Sequence, residues 1–258
     1  MGILNVTPDS FSDRGRFVEP AAALARAAAM VDEGADVIDV GGESTRPGAV
    51  PVATGEELDR VLPVVRGIKH GLGARVSVDT TKADVARAAL DAGADMINDV
   101  SGLGDPEMAA VVRDRGAPIV IMHMRGTPRT MQHDTRYRDV VGEIVDFLRD
   151  RVDRASATGV SDDRMIVDPG IGFGKSAAGN LKILKELQAL RSLGLPILIG
   201  ASRKSFLGAA CDLPVDERLE AGLAVAAYAS AQGAHLLRAH DVRATVRAVR
   251  MIDAVRNA

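Results

Sequence analysis

The chain of 258 residues holds one cysteine, Cys211, so no internal disulfide can form. A lone thiol fits a reducing compartment, the cytoplasm. No apolar run reaches the roughly 18 residues of a transmembrane helix. The opening Met1-Gly2-Ile3-Leu4-Asn5-Val6 lacks the basic and apolar regions of a secretion signal. It also offers Val6 where N-myristoylation needs Ser or Thr. An excess of one charge is missing too: 32 Lys and Arg face 35 Asp and Glu, a net charge of -3. The cations are scattered, without the basic stripe of a nucleic-acid binder, which leaves small molecules as the expected partners. The five histidines and the cysteine show no zinc-ligand spacing. Gly174-Lys175-Ser176 ends like a phosphate-binding P-loop, but Pro169 stands where that loop needs glycine. Nor is Gly170-Ile171-Gly172-Phe173-Gly174 the spaced glycine pattern of a dinucleotide fold. It reads as a turn that lets backbone approach a flat ligand.

What is present is a large apolar fraction, 47%, beside 26% charged residues, enough for a sizeable core. Short β-branched runs alternate with longer amphipathic segments, the pattern of parallel strands joined by helical crossovers. Strands are expected to begin at Ile3, Val37, Arg75, Met96, Ile119, Met165, Ile197 and His235. Eight such units predict a closed TIM (β/α)8 barrel, one domain over residues 1–258. Pro20 suits a helix start, and Gly34-Ala35-Asp36, Gly93-Ala94-Asp95 and Gly233-Ala234-His235 each read as a helix stop feeding a strand. The longest irregular stretches, residues 41–54 and 124–138, follow strands, as functional barrel loops do.

A barrel carries its active site at the C-terminal ends of its strands. There the sequence places Asn5, Glu43 with Arg46, Asp79, Asn98 with Asp99, His123, Asp168, Ser202-Arg203-Lys204-Ser205, and Arg238 with His240. Taken singly, Asp99 reads equally as a turn tie, Asp241 as the N-cap of the last helix, and His123, between Met122 and Met124, as packing. Arg238 can equally be a structural rim ion pair, and His240 a satisfied loop histidine. Taken together, buried charges at every strand end are costly unless paired or shared with a ligand. The residue types suit a heteroaromatic ring and an anion. Asp168 and Asn98 can pair with ring N–H and amino groups, Lys204 can donate to a ring carbonyl, and Arg238 and His240 suit an anion. A guanidinium can also lie flat on the ring.

Gly2-Ile3-Leu4-Asn5-Val6-Thr7-Pro8-Asp9-Ser10-Phe11-Ser12-Asp13 and Gly41-Gly42-Glu43-Ser44-Thr45-Arg46-Pro47-Gly48-Ala49 closely resemble the two signature loops of dihydropteroate synthases. Ser77-Val78-Asp79-Thr80, Asn98-Asp99-Val100-Ser101-Gly102, the segment from Asp168 to Lys175, Gly200-Ala201-Ser202-Arg203-Lys204-Ser205 and Arg238-Ala239-His240-Asp241-Val242 continue the resemblance in family order. It implies a transferase of folate biosynthesis that joins 6-hydroxymethyl-7,8-dihydropterin pyrophosphate to 4-aminobenzoate. Asp79, Asn98, Asp168, Lys204 and Arg238 would bind the pterin; Asn5, Thr45, Arg46, Arg238 and His240 the pyrophosphate, with magnesium at Asn5. Phe11, Thr45, Pro47, Phe173, Lys204 and Ser205 would form the 4-aminobenzoate pocket, where sulfonamides compete. The family is commonly homodimeric, and the apolar Leu223, Val225 and Ala226 suit such an interface.

Within that resemblance Asp79, Lys204, Arg238 and Arg46 are the expected catalytic residues, with Asp79 stabilising a cation as pyrophosphate leaves. Three departures stand out. Arg14 and Gly179 replace a usual glycine and a frequent histidine, and the family's N-terminal leader is expected to be lacking. A pterin-binding methyltransferase barrel shares the surroundings of Asp79, Asn98 and Asp168, but the Thr7-to-Asp13 and Ser202-to-Ser205 segments favour the synthase. Intact Asn5, Arg46 and His240 disfavour a weak or inactive pterin-binding paralogue, and the density of strand-end charge disfavours a scaffold.

Overall fold

The computed structural model describes residues 1–7 and 20–258. Phe11 and Arg14 lie outside the described residues. Six parallel strands pair in sequence order: β1 (Gly2–Asn5), β2 (Val37–Gly41), β3 (Arg75–Asp79), β4 (Met96–Asp99), β5 (Ile119–Met122) and β6 (Met165–Asp168). Two shorter strands, β7 (Leu198–Ile199) and β8 (Leu236–Leu237), pair with each other. Single parallel bridges, Val167 to Ile197 and Gly2 to Ala239, join this pair to the six and close the ring. Among the described residues the helices are α1 (Pro20–Asp32), α2 (Thr54–Gly71), α3 (Ala83–Asp91), α4 (Met108–Arg115), α5 (Val140–Thr158), α6 (Ala177–Lys185), α7 (Ser205–Cys211), α8 (Leu219–Ala231) and α9 (Val242–Arg256).

The expected starts hold to within a residue. The first strand begins at Gly2, and β7 and β8 each begin one residue later than the sequence suggests. Pro196 lacks an N–H to extend β7 backward, and Ile197 instead provides the bridge to Val167.

Alternation along each strand divides the residues between two environments. Ile38, Val78, Ile97 and Ile121 point outward and share one apolar cluster with Val61, Ile68, Ile144 and Leu148 of the helices. Each fully buried aliphatic side chain contributes about 1.5–3 kcal/mol. The inward set is apolar only at the bottom, where Met96, Val120 and Leu198 pack with Val37, Ile166 and Leu236. Higher up, register sets Asp39 beside Ser77, Gly41 beside Asp79, Asp79 beside Asn98, and Met122 beside Asp168. The polar layer therefore sits at the C-terminal end, on top of an apolar plug.

The repeated glycine stop has one geometry. Gly34, Gly93 and Gly233 have φ of 100°, 102° and 101°. The amides that follow, of Ala35, Ala94 and Ala234, reach back to the carbonyls of Met30, Ala89 and Ala229 at 2.9 Å. This satisfies helix-end carbonyls in a left-handed cap that favours glycine. Gly93→Ala should therefore lower stability by about 1–2 kcal/mol. Gly55→Ala, at a helical site with nothing within 4 Å of the added Cβ, should raise it by a few tenths to about 1 kcal/mol. Urea titration reads both; two shifts of the same sign would contradict this account.

Candidate active site

The inner polar layer centres on Arg238, which follows β8. Its Nε donates to Asp39 Oδ2 at 2.5 Å and its Nη2 to Asp79 Oδ2 at 2.7 Å. Asp39 also accepts from Asn98 Nδ2 at 3.2 Å, which turns the Asn98 carbonyl away from it. Asp39 Oδ1, Asp79 Oδ1 and Ser77 Oγ are buried without a hydrogen-bond partner among the described residues, a costly condition that a polar ligand or water relieves.

Across the barrel mouth, Asp168 Oδ1 accepts from the Gly170 amide at 2.6 Å. Lys204 donates to the Ile171 carbonyl, its Nζ lying 4.5 Å from the centre of the Phe173 ring. Gly172 has φ of 85°, and a Cβ there would come within 2.9 Å of Lys204 Cδ, so glycine is what lets this lysine lie along the loop.

Confinement of these charges shifts their proton affinities. Burial raises Asp79 to about 7, partly opposed by Arg238, whose charge is shared with Asp39. Asp168 is also raised by burial, opposed by Lys204 and the Gly170 amide. Burial lowers Lys204 to about 8 against the pull of Asp168. Burial disfavours the Arg238 cation, but Asp39 and Asp79 outweigh that and hold its proton more tightly than usual.

At the rim, His240 is lowered to about 4 by burial and then by Arg203 and Arg238, with Arg46 adding to the effect. It is thus a neutral hydrogen-bonding imidazole, its Nδ1 lying 3.1 Å from Ser202 Oγ. Arg46, Pro47 and Ser205 are exposed and Thr45 is half-buried. The loop carrying Thr45, Arg46 and Pro47 touches the loop after β5 through the Gly48 amide and the Pro128 carbonyl, 3.0 Å apart. Asn5 faces Asp79 across Gly41: a Cβ on Gly41 would lie 3.5 Å from Asn5 Oδ1 and 3.6 Å from Asp79 Cβ.

Several readings are corrected here. Asp241 occupies the position before α9, but its side chain makes no cap and instead grips Arg203 at 2.6 Å. Arg238 is an ion pair, as one reading allowed, yet it lies inside the barrel mouth rather than on its rim. Asp99 is a turn tie, accepting from Ser101 and Leu103 amides at 2.8 Å. Glu43 binds Lys82 at 2.5 Å and the Val52 amide at 2.9 Å, so it holds its own loop together. Lys82 reaches Glu57 as well, which ties that loop to α2 and α3. Neither Lys82 nor Glu57 is marked in the sequence. Asp39 went unread because it sits inside an apolar run; its clue is the inward alternation Val37, Asp39, Gly41.

The chain is similar to known proteins over nearly its whole length. A family model described as pterin binding enzyme matches residues 1–240. A dihydropteroate synthase of Synechocystis is 48% identical over 257 residues, 99% of this chain and 89% of that protein. A Yersinia pestis dihydropteroate synthase solved with a sulfonamide drug superposes with a TM-score of 0.95 at 43% identity, covering 100% of this chain and 94% of that one. A Xanthomonas albilineans dihydropteroate synthase in complex with 7,8-dihydropteroate gives 0.89 at 41% identity, covering 100% and 93%. Likeness of this extent, over a barrel mouth lined with acids and cations, shows that the chain belongs to the pterin-binding enzyme family and, within it, to the dihydropteroate synthases.

Proposed function

We propose that this barrel condenses 6-hydroxymethyl-7,8-dihydropterin pyrophosphate with 4-aminobenzoate, giving 7,8-dihydropteroate and pyrophosphate in folate biosynthesis. The observation that carries this is one polar layer in which Asp39, Asp79 and Asp168 face Arg238 and Lys204, with acceptor oxygens left unpartnered. A pterin presents several N–H donors on one edge and a carbonyl, and such a ring complements that layer. Asp168, Asn98 and Asp79 take its donors, Lys204 its carbonyl, and Arg238 lies against it. A methyltransferase barrel would not need the rim set of Arg46 and His240, which suits a phosphorylated leaving group.

In the reaction the bond between the pterin methylene carbon and the pyrophosphate oxygen breaks, and its electron pair leaves with pyrophosphate. Arg46, Arg238 and the His240 N–H neutralise the departing anion, with Asn5 and Thr45 completing its seat. Asp79, ionised, lies against the carbon side and offsets the positive charge that develops there. The lone pair of the 4-aminobenzoate amine then forms the new bond to the carbon, and the nitrogen gives its extra proton to the departed pyrophosphate or to water. Its pocket takes Thr45, Pro47, Phe173, Lys204 and Ser205, with Phe11 outside the described residues.

Among the described residues no group of three or more His, Cys, Asp or Glu is arranged to hold a metal. Magnesium fits under that condition, because it binds through few protein oxygens and completes its shell with phosphate and water. Asn5 Oδ1 is the suitable hard donor, and the ion when bound adds charge neutralisation to pyrophosphate. Among the described residues no helix is long and apolar enough to cross a membrane. The lone cysteine supports a cytoplasmic location. A homodimer through α8 and α9 is supported by the exposure of Leu219, Tyr228, Met251 and Val255 on these helices.

Incubating the protein with the pterin pyrophosphate, magnesium and 4-aminobenzoate should yield dihydropteroate by chromatography; absence of product would sink the proposal. Asp168→Ala should weaken pterin binding by about 1.5–3 kcal/mol, the range of a charge-assisted hydrogen bond. Unaltered affinity in calorimetry would remove Asp168 from the site. The pH profile of kcat/KM for the pterin pyrophosphate should be bell-shaped. It should rise through about 7 as Asp79 ionises and fall through about 8 as Lys204 loses its proton. Asp79→Asn should abolish the acid limb; a surviving limb would assign it elsewhere.

A further inference from the structure

Lys175 is buried, 3% exposed, in the loop after β6, and the mechanism above does not use it. Its Nζ lies 2.8 Å from the Gly170 carbonyl, 2.8 Å from the Phe173 carbonyl and 2.9 Å from His123 Nδ1. The His123 carbonyl is a more distant fourth neighbour at 3.3 Å. Three close partners match the valence of a lysine nitrogen. The two carbonyls receive its hydrogens, and His123 completes the set as acceptor from an ammonium or donor to an amine.

Glycines at 170, 172 and 174 with φ of 67°, 85° and 64° hold the surrounding loop out of any regular ladder, and a backbone turn runs from the Phe173 amide to the Gly170 carbonyl at 3.0 Å. Each carbonyl from 170 to 174 also accepts from a side chain. Gly170 and Phe173 go to Lys175, Ile171 to Lys204, Gly172 to Gln132 at 3.1 Å, and Gly174 to the Tyr137 hydroxyl at 3.0 Å. A Cβ on Gly170 would fall 2.0 Å from the His123 carbonyl, so the loop is drawn tight against the end of β5. Lys175 is the only one of these donors, among the described residues, that holds two of the five carbonyls. By gathering Gly170 and Phe173 inward, it leaves the intervening Ile171 carbonyl pointing to Lys204 and sets the Phe173 ring under the Lys204 ammonium.

We infer that Lys175 is a positioning residue for the 4-aminobenzoate half of the reaction: its buried nitrogen shapes the loop that presents Phe173 and braces Lys204. The inference rests on the reading that these two residues line that pocket. It predicts an unequal loss for the two substrates, because the pterin groups Asp79, Asn98 and Asp168 stand on strands and owe their placement to the ladder, and Lys204, which serves both substrates, keeps its backbone seat after β7 and loses only its brace, whereas Phe173 is carried by the loop itself.

The test is steady-state kinetics and pterin calorimetry on Lys175→Met, His123→Phe and Phe173→Ala in the full chain. Lys175→Met should raise KM for 4-aminobenzoate by about tenfold or more while pterin affinity stays within about twofold, since small misplacements of pocket groups are costly. His123→Phe, which removes one of three partners, should shift the same KM less, and it decides the matter if Lys175→Met does not fold. An unchanged KM, or equal losses for both substrates, would overturn the inference. If Phe173→Ala alone raises KM, the pocket reading stands and the role of Lys175 falls. If Phe173→Ala has no effect, the pocket reading falls and the inference with it.

Discussion

A guanidinium held between two carboxylates below the surface of a barrel is the arrangement on which the site depends. Removing these groups from water is expensive, and the expense is offset only where each charge meets an opposite one with good geometry. Arg238 meets Asp39 through Nε and Asp79 through Nη2, and Asp39 then fixes the Asn98 amide. The orientation of Asn98 and the state of Asp79 follow from this. Because Asp39 accepts, Asn98 must turn its amide toward it and keep its carbonyl for another donor. Burial raises Asp79 to about 7, and Arg238, divided between two acids, only partly opposes it.

On the proposed reading the two substrates would be handled by parts of different stiffness. Asp79, Asn98 and Asp168, which would face the pterin together with Lys204 and Arg238, stand on β3, β4 and β6, where the hydrogen-bonded ladder limits their movement. Groups for the second substrate and the leaving anion stand on loops, where the backbone is held by side chains: Glu43 and Lys82 for one loop, Lys175, Gln132 and Tyr137 for another.

The sequence revealed the strands closely, because period-two burial and the Gly-Ala stops are local signals. It revealed most strand-end polar residues for the same reason. It hid Asp39 inside an apolar run, where only alternation with Val37 and Gly41 marks it as inward, and it could not reveal Lys82, whose carboxylate partners come from positions 43 and 57. Asp241 misled because its place before a helix is a local fact, whereas its bond to Arg203 joins residues 38 apart in the chain. Local pattern offers Lys175 only as a near miss to a phosphate-binding loop. Two of its partners, Gly170 and Phe173, lie in its own loop, and the third, His123, joins it only once β5 and β6 lie side by side.

The barrel wall itself is uneven. Six strands form a continuous ladder, whereas β7 and β8 are two residues long and join their neighbours through one bridge on each side. The acids and Asn98 stand on the continuous part, and Lys204 and Arg238 follow the two short strands. The ion pairs of Arg238 with β2 and β3 therefore span the mouth of the barrel as well as balancing charge. In the proposed complex a flat ring gripped by carboxylates on one side and cations on the other would act as a strut between a well-laced wall and a thinly laced one, so the occupied barrel would be a more completely joined cylinder than the backbone alone provides.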